Sequence, residues 1–295
     1  MYTDMIQIEN DFFVAEIASH GAELKAFSGK RSGRKYLYDG TGSWKRSAPV
    51  LFPSIGSLAE GCYVYGGKEY AMPPHGFARD MDFTVQTMQK DMVSFLLTSS
   101  EETAAYFPFA FALTITYRLT EQGIETTWQV TNHDERTMYF SIGAHPGFAL
   151  LPGTQLSDYQ LLFDREIPVE TRRVMGRYLT EEKELVAPVC RQLQLTPQLL
   201  EKDALVLEDT GVEKLTLLCE KADYRLEILF PDFPVVAVWS DPHTIEEAQF
   251  LCLEPWCGIN ALCGDQKADI SQKARITALE RGKSWQRSYT VCVNE

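Results

Sequence analysis

Between Phe109 and Leu119 the odd positions read Phe, Phe, Leu, Ile, Tyr, Leu and the even ones Ala, Ala, Thr, Thr, Arg. After Glu121-Gln-Gly123, Ile124, Thr126, Trp128 and Val130 alternate with Glu125, Thr127 and Gln129. Side chains of a strand point to opposite faces in turn, so this pattern predicts a β-hairpin with one face in a core. Tyr224 to Phe230 alternates the same way. Shorter strands are predicted at Phe83 to Met88, Met92 to Thr98, Lys214 to Cys219 and Val235 to Trp239, and Ala274 to Val293 reads as a last hairpin turning at Glu280-Arg-Gly-Lys283. Helical signals are few. Thr196 followed by Pro197 predicts one or two turns reaching Lys202, and Ile245-Glu-Glu-Ala a single turn. Many short strands without a linker, repeat or composition break predict an all-β fold, one large antiparallel β-sandwich spanning residues 1–295. The alternative division is two sandwiches fused near residue 150.

Composition narrows the partners. The 295 residues are 45% hydrophobic and 23% charged, which suits a soluble protein with an ample core. A formal net charge of −13 argues against nucleic acid or an anionic membrane surface as partner. The first residues have neither the basic nor the apolar region of a signal peptide, and no run is long enough to span a bilayer. Seven cysteines, with no Cys-x-x-Cys pair, predict free thiols in a reducing compartment, hence a cytoplasmic monomer or homodimer. Cys252, Cys257 and Cys263 lie in apolar surroundings and read as buried thiols rather than zinc ligands.

Four punctuated stretches carry the chemistry. Phe140-Ser-Ile-Gly-Ala-His145-Pro-Gly-Phe148 sets a histidine among turn-forming residues after the strand-like run Thr137 to Ile142. The others are Trp44-Lys-Arg46-Ser-Ala-Pro-Val-Leu-Phe-Pro-Ser-Ile-Gly56, Pro74-His75-Gly-Phe-Ala-Arg79-Asp80 and Leu251-Cys-Leu-Glu254-Pro-Trp256-Cys-Gly258. Of the five histidines, His20 and His133 read as structural or solvent-facing and His243 as a loop residue, whereas His75 and His145 each lie close to Gly and Phe. Glu254 sits in a run that is otherwise almost wholly apolar, where a carboxylate is costly unless bonded or used. No dinucleotide fingerprint, phosphate-binding loop or nucleophile elbow is present. Two histidines and a glutamate without a cofactor motif suit proton transfer.

Taken together, Arg46-Ser-Ala-Pro-Val-Leu-Phe-Pro, His75-Gly-Phe-Ala-Arg-Asp, Gly-Ala-His145-Pro-Gly-Phe and Leu-Glu254-Pro-Trp resemble the aldose 1-epimerase (galactose mutarotase) superfamily, most closely its LacX-like branch. The resemblance covers nearly the whole chain. It implies a β-supersandwich, a sugar-sized cleft and cofactor-free interconversion of the α and β anomers of an aldose. It further implies His145 as the acid that protonates the ring oxygen, Glu254 as the base at the C1 hydroxyl, and His75 as a sugar-binding histidine that supports charge at the ring oxygen. Asp203 matches a sugar-binding aspartate and Arg46 an arginine lining the cleft, while Trp239 could stack on a pyranose. Two departures stand out: Gly-Ala-His-Pro-Gly-Phe replaces the Asn-His-x-x-Phe-Asn-Leu pattern of galactose mutarotases, and Ser57 stands where many relatives carry arginine.

Alternatives are a hexose 6-phosphate epimerase, for which Lys45, Arg46 and Arg79 could bind phosphate, a non-catalytic sugar-binding protein, and a metal site of His75, His145 and Glu254; no metal is expected. The proton-transfer reading predicts a bell-shaped pH–rate profile, its acidic limb set by Glu254 and its basic limb by a histidine.

Overall fold

The computed structural model describes residues 4–294. Its largest element is a nine-stranded antiparallel sheet in the order Glu184–Gln194, Gln160–Thr171, Lys214–Cys219, Tyr224–Leu229, Ser284–Val293, Gly123–Asn132, Phe111–Leu119, Met92–Thr98, Thr84–Met88. Strands from both sides of residue 150 thus share one sheet, joined where Ser284–Val293 pairs with Gly123–Asn132. The hairpin read from alternation is present, with Leu119 opposite Ile124 and Phe111 opposite Asn132.

A second sheet of six strands packs against it. Leu205–Glu208, Val235–Trp239, Phe250–Cys257, Ile142–Ala144 and Val50–Leu51 follow one another, and Gly147–Ala149 also pairs with Phe250–Cys257. One face of this sheet contributes Leu205, Leu207, Val236, Val238, Leu251 and Leu253 to the main apolar cluster, with Phe95, Tyr117, Trp128 and Leu226 of the large sheet. The opposite face carries Val206, Val235, Ala237 and Trp256 in a smaller cluster with Leu51, Ile55 and Leu179. Burial on both faces explains why Val235–Trp239 and Phe250–Cys257 lack polar alternation in sequence. It also sends Glu254 to the second face, away from the sandwich interior.

Met5–Glu9, Phe13–Ala18 and Leu24–Gly29 form a separate three-stranded sheet. Helix is confined to single turns, among them Glu101–Ala104, closed by a Ser100/Thr103 capping box, and Pro197–Leu200 after Thr196. The Ile245 turn is part of a 3-10 segment, Pro242–Glu247, that Asp241 caps by accepting from the His243 N–H.

Two expectations need correction, and two strands went unread. Ala274 to Val293 is not a hairpin: Thr277–Leu279 pairs with Met138–Phe140, while Ser284–Val293 joins the large sheet. The turn exists, with Lys283 N–H donating to the Glu280 carbonyl, but it passes the chain from one sheet to another. The run Thr137 to Ile142 likewise splits at Ser141, whose N–H donates to the Pro53 carbonyl, so its two halves serve different sheets. The long strands Gln160–Thr171 and Glu184–Gln194 were missed; the first does alternate, with Leu161, Phe163, Ile167, Val169 and Thr171 buried, whereas the second carries no such pattern. Glu184–Gln194 is a sheet edge with most side chains in solvent, so little of it is selected to be apolar.

Candidate functional site

Ile142–Ala144 and Gly147–Ala149 are two pieces of one strand laid against Phe250–Cys257. The pairing is Gly143 to Trp256 before the break and Gly147 to Cys252 after it, so the register does not shift. Continued through the gap, it sets His145 opposite Glu254 on one face. The ladder lapses there because Pro146 and Pro255 have no N–H to donate. Leu253 N–H donates to the Pro146 carbonyl and keeps the strands together. A cross-strand pair has neighbouring side chains, and here Nε2 of His145 stands 3.3 Å from Oε2 of Glu254.

The glycines flanking His145 are required by the same face. A Cβ on Gly143 would come within 2.5 Å of Trp256 Cδ1, and one on Gly147 within 2.8 Å of Trp44 Cζ3. Trp256 Nε1–H donates to the Ala144 carbonyl at 3.2 Å. Trp44 stacks on the His145 ring at 5.0 Å between centroids, and Trp239 meets it edge-on at 5.4 Å. The imidazole is therefore clamped between two indoles, backed by Phe250 at 5.2 Å from Trp44.

His75 arrives from a loop in which His75 and Gly76 both hold positive φ, 66° and 73°. A Cβ on Gly76 would lie 2.1 Å from the Phe52 carbonyl oxygen, so only glycine fits. His75 and Gly56 hold each other twice: the His75 N–H donates to the Gly56 carbonyl at 2.8 Å, and the Gly56 N–H donates to His75 Nδ1 at 3.2 Å. With Nδ1 accepting, the proton of the neutral ring is on Nε2. The His75 ring stands edge-on to that of His145, 5.7 Å away.

These groups line a cleft of about 430 Å³ on the outer face of the six-stranded sheet. Among the expected residues it brings together His75, Arg79, His145, Asp203, Trp239 and Glu254. Asp203, with φ of 77°, follows the Pro197–Leu200 turn, and its carboxylate accepts from the Ala204 N–H. Arg79 donates to the Pro74 carbonyl at 2.7 Å. Arg46 is not in the lining. Its guanidinium donates to Asp80 at 2.6 Å and acts on the histidines only through its field. Lys45 donates to the Thr41 carbonyl in solvent, His20 pairs with Asp82 at the surface, and His243 lies on its capped turn outside the lining.

Sequence reasoning missed Trp44, Arg177 and Asn260 as lining residues. Trp44 opens one of the four punctuated stretches, a signal that was available. Arg177 follows Gly176 at the tip of the Val174–Met175/Tyr178–Leu179 hairpin, and Asn260 donates to the Arg177 carbonyl at 3.4 Å. Neither has a local signature. The hairpin is tied down by Arg172, which bridges the buried Glu208 carboxylate and the Thr180 carbonyl, while Arg275 holds the other Glu208 oxygen.

Burial sets the protonation of the site. It pushes the Glu254 carboxyl well above the usual range; a hydrogen bond with Trp256 opposes this and the Asp203 charge adds to it. Burial pushes His145 well below its ordinary value, and His75, Arg79 and Arg46 push the same way. His75 is lowered to about 3 by burial and then by Arg79 and Arg46, so at neutral pH it is an uncharged Nε2–H donor. His145 Nδ1 and Glu254 Oε2 are buried without a hydrogen-bond partner. Both shifts favour the uncharged forms, a neutral imidazole beside a protonated carboxyl, so the pair holds its proton on Glu254, 3.3 Å from His145 Nε2. Such a pair can accept a proton at one substrate atom and give one at another without a net change of charge.

Comparison with known proteins places this geometry. The family model described as aldose 1-epimerase matches residues 4–263. A curated relative, Protein LacX (plasmid) of Lactococcus lactis subsp. lactis, is 28% identical over 98% of this chain and 99% of its own length. The crystal structure of a galactose mutarotase-like protein from Lactobacillus casei superposes with a TM-score of 0.91 at 33% identity, covering 99% of this chain and 100% of the other. A putative glucose-6-phosphate 1-epimerase of Escherichia coli K12 is 26% identical over 48% of this chain and 49% of its own.

Proposed function

Because the chain belongs to the aldose 1-epimerase family, we propose that it interconverts the α and β anomers of an aldohexose by general acid–base opening and closure of the hemiacetal ring. The observation that carries this reading is the opposed pair His145 and Glu254 on the floor of a cleft of about 430 Å³. Ring opening needs a proton taken from the C1 hydroxyl and one delivered to the ring oxygen. Glu254 is the base, and the proton it holds in the empty cleft passes to His145, 3.3 Å away, as sugar hydroxyls enter. His145 then protonates the ring oxygen. His75 donates its Nε2–H toward the same oxygen, and Asp203 accepts from sugar hydroxyls. Rotation about C1–C2 and reclosure with the protons returned gives the other anomer. Trp239 and Trp44 present an apolar wall for the C–H face of a pyranose. The protein works as one domain in the cytoplasm: a single apolar cluster runs from Ile8 to Val293, and its seven cysteines are free.

A second reading, a hexose 6-phosphate as substrate, is favoured by Arg79 and Arg177 in the lining. One experiment separates the two: NMR or polarimetry on freshly dissolved α-anomers of glucose, galactose, xylose and a hexose 6-phosphate. Accelerated equilibration of a neutral sugar supports the first reading, and of the phosphate alone the second. No acceleration of any of them overturns both.

A further inference from the structure

Behind the opposed pair lies a third donor. Cys252 follows His145 and Glu254 on the same face of the sheet: it is two residues from Glu254 along one strand and pairs with Gly147 on the other. Its thiol is fully buried, and one donor atom from each of His145, Cys252 and Glu254 lies within 4.8 Å of the other two. We propose that this floor is also a binding site for a borderline-soft divalent cation such as zinc, held by imidazole, thiolate and carboxylate, and that the cation inhibits the enzyme.

Donor chemistry and an orphaned atom argue for it. A nitrogen, a sulfur and an oxygen suit zinc, cadmium or cobalt(II), whereas magnesium and calcium prefer oxygen alone. One of the donor residues already presents a buried oxygen without a hydrogen-bond partner, Glu254 Oε2, and it faces His145 Nε2 at 3.3 Å. His145 and Glu254 line the cleft and Cys252 does not, so an ion seated among the three keeps its fourth position open toward the cleft, where water or a sugar hydroxyl completes it. Binding draws the three donors together by about 1 Å to reach tetrahedral spacing. On binding, the thiol and the carboxyl each release one proton, three metal–ligand bonds form (one each to imidazole nitrogen, thiolate sulfur and carboxylate oxygen), and the 2+ ion with two anionic ligands is neutral overall. That neutrality suits a floor walled by Trp44, Trp239 and Phe250.

Competition from those two protons limits the affinity. Burial holds the Cys252 thiol and the Glu254 carboxyl well above their usual ranges, so the ion binds weakly in acid and more tightly as pH rises, by up to about tenfold per pH unit for each proton released. The imidazole nitrogen left free of metal finds no protein acceptor, so the site falls short of a structural zinc site.

The inhibition rests on the acid–base reading, but the binding does not, and the test keeps them apart. Cobalt(II) is titrated into the full chain at several pH values, and thiolate-to-metal charge-transfer absorption is recorded alongside sugar equilibration. The expected result is a band saturating at one equivalent, tightening with pH, and lost in Cys252→Ala. Zinc should inhibit sugar equilibration by wild type, and by Cys252→Ala at least about tenfold less. Should Cys252→Ala not fold, His145→Ala keeps the thiol and removes a different ligand, and its band should weaken to the same degree. No band in wild type, or an equal band in the variants, overturns the site. A Cys252-dependent band with no zinc effect on sugar equilibration overturns the inhibition alone.

Discussion

His145 and Glu254 face each other across two strands with Nε2 and Oε2 3.3 Å apart, and burial drives both toward their uncharged forms. The state with one proton between them is the only one that can both accept at O1 and donate at the ring oxygen. Glu254→Gln keeps the shape and fixes the proton count. Turnover should fall by roughly 10²-fold or more while sugar binding persists, read by single-turnover NMR and by calorimetry. Turnover close to wild type would remove Glu254 from the mechanism.

A bell-shaped pH profile is again the expected outcome, with the owners of its limbs exchanged. The acidic limb was expected from Glu254 and the basic limb from a histidine. With His145 pushed down and Glu254 pushed up by burial, rising pH first removes the second proton from His145 and then the last one from Glu254. In Glu254→Gln it is therefore the basic limb that should vanish. Loss of the acidic limb instead would mean the pair titrates in the order expected for exposed groups.

The same shifts act on stability. A carboxyl raised by folding contributes stability that is lost as pH rises above its unfolded value near 4.3, by about 1.4 kcal/mol per pH unit. A histidine lowered by folding loses stability as pH falls below about 6.5. The two slopes cancel between those values, so the pair imposes a decline on the alkaline side that belongs to Glu254 alone. Thermal unfolding of Glu254→Gln should show that decline removed, with a gain over wild type that widens from about pH 4.3 upward, because the histidine slope is common to both proteins. Parallel curves would show the carboxylate is solvated.

His75 is held neutral first by burial and then by the charges of Arg79 and Arg46, while the Gly56 N–H donates to its Nδ1. His75→Asn should raise KM as well as lower kcat, since it removes a donor that touches the sugar, whereas His145→Asn should act mainly on kcat. The opposite split would exchange the two roles.

Gly143→Ala tests the tight approach beside His145. Its methyl would meet Trp256 Cδ1 at 2.5 Å and press on the indole that donates to the Ala144 carbonyl. Overpacking of this kind costs about 1–3 kcal/mol, visible as a lowered denaturant midpoint, with a larger loss of turnover than of sugar binding. An unchanged midpoint would show that Trp256 has room to move.

That His145, His75 and Glu254 share one cleft was foreshadowed by punctuation: Pro and Gly beside them mark backbone that regular strands cannot use. The fold class followed from alternation wherever one face is wet, as in Phe111–Leu119. Reading failed where alternation carries no information. Leu205–Glu208 and Phe250–Cys257 are buried on both sides, and Glu184–Gln194 is exposed on most of its length. The opposition of His145 to Glu254 was not legible, because a register between segments that far apart in the chain leaves no local trace. Arg46 misled for a related reason: its motif is intact, but its partner Asp80 belongs to another segment.

Along Phe250–Cys257, alternate residues belong to the sandwich interior and to the cleft, so one pairing register decides both. A chain mispaired by a single residue would turn Leu253 and Pro255 to the sugar and push Glu254 into hydrocarbon. Such a chain could neither close its interior nor turn over substrate. Under the proposed function, activity recovered after refolding should therefore count correctly threaded molecules, with no background from near-miss conformers.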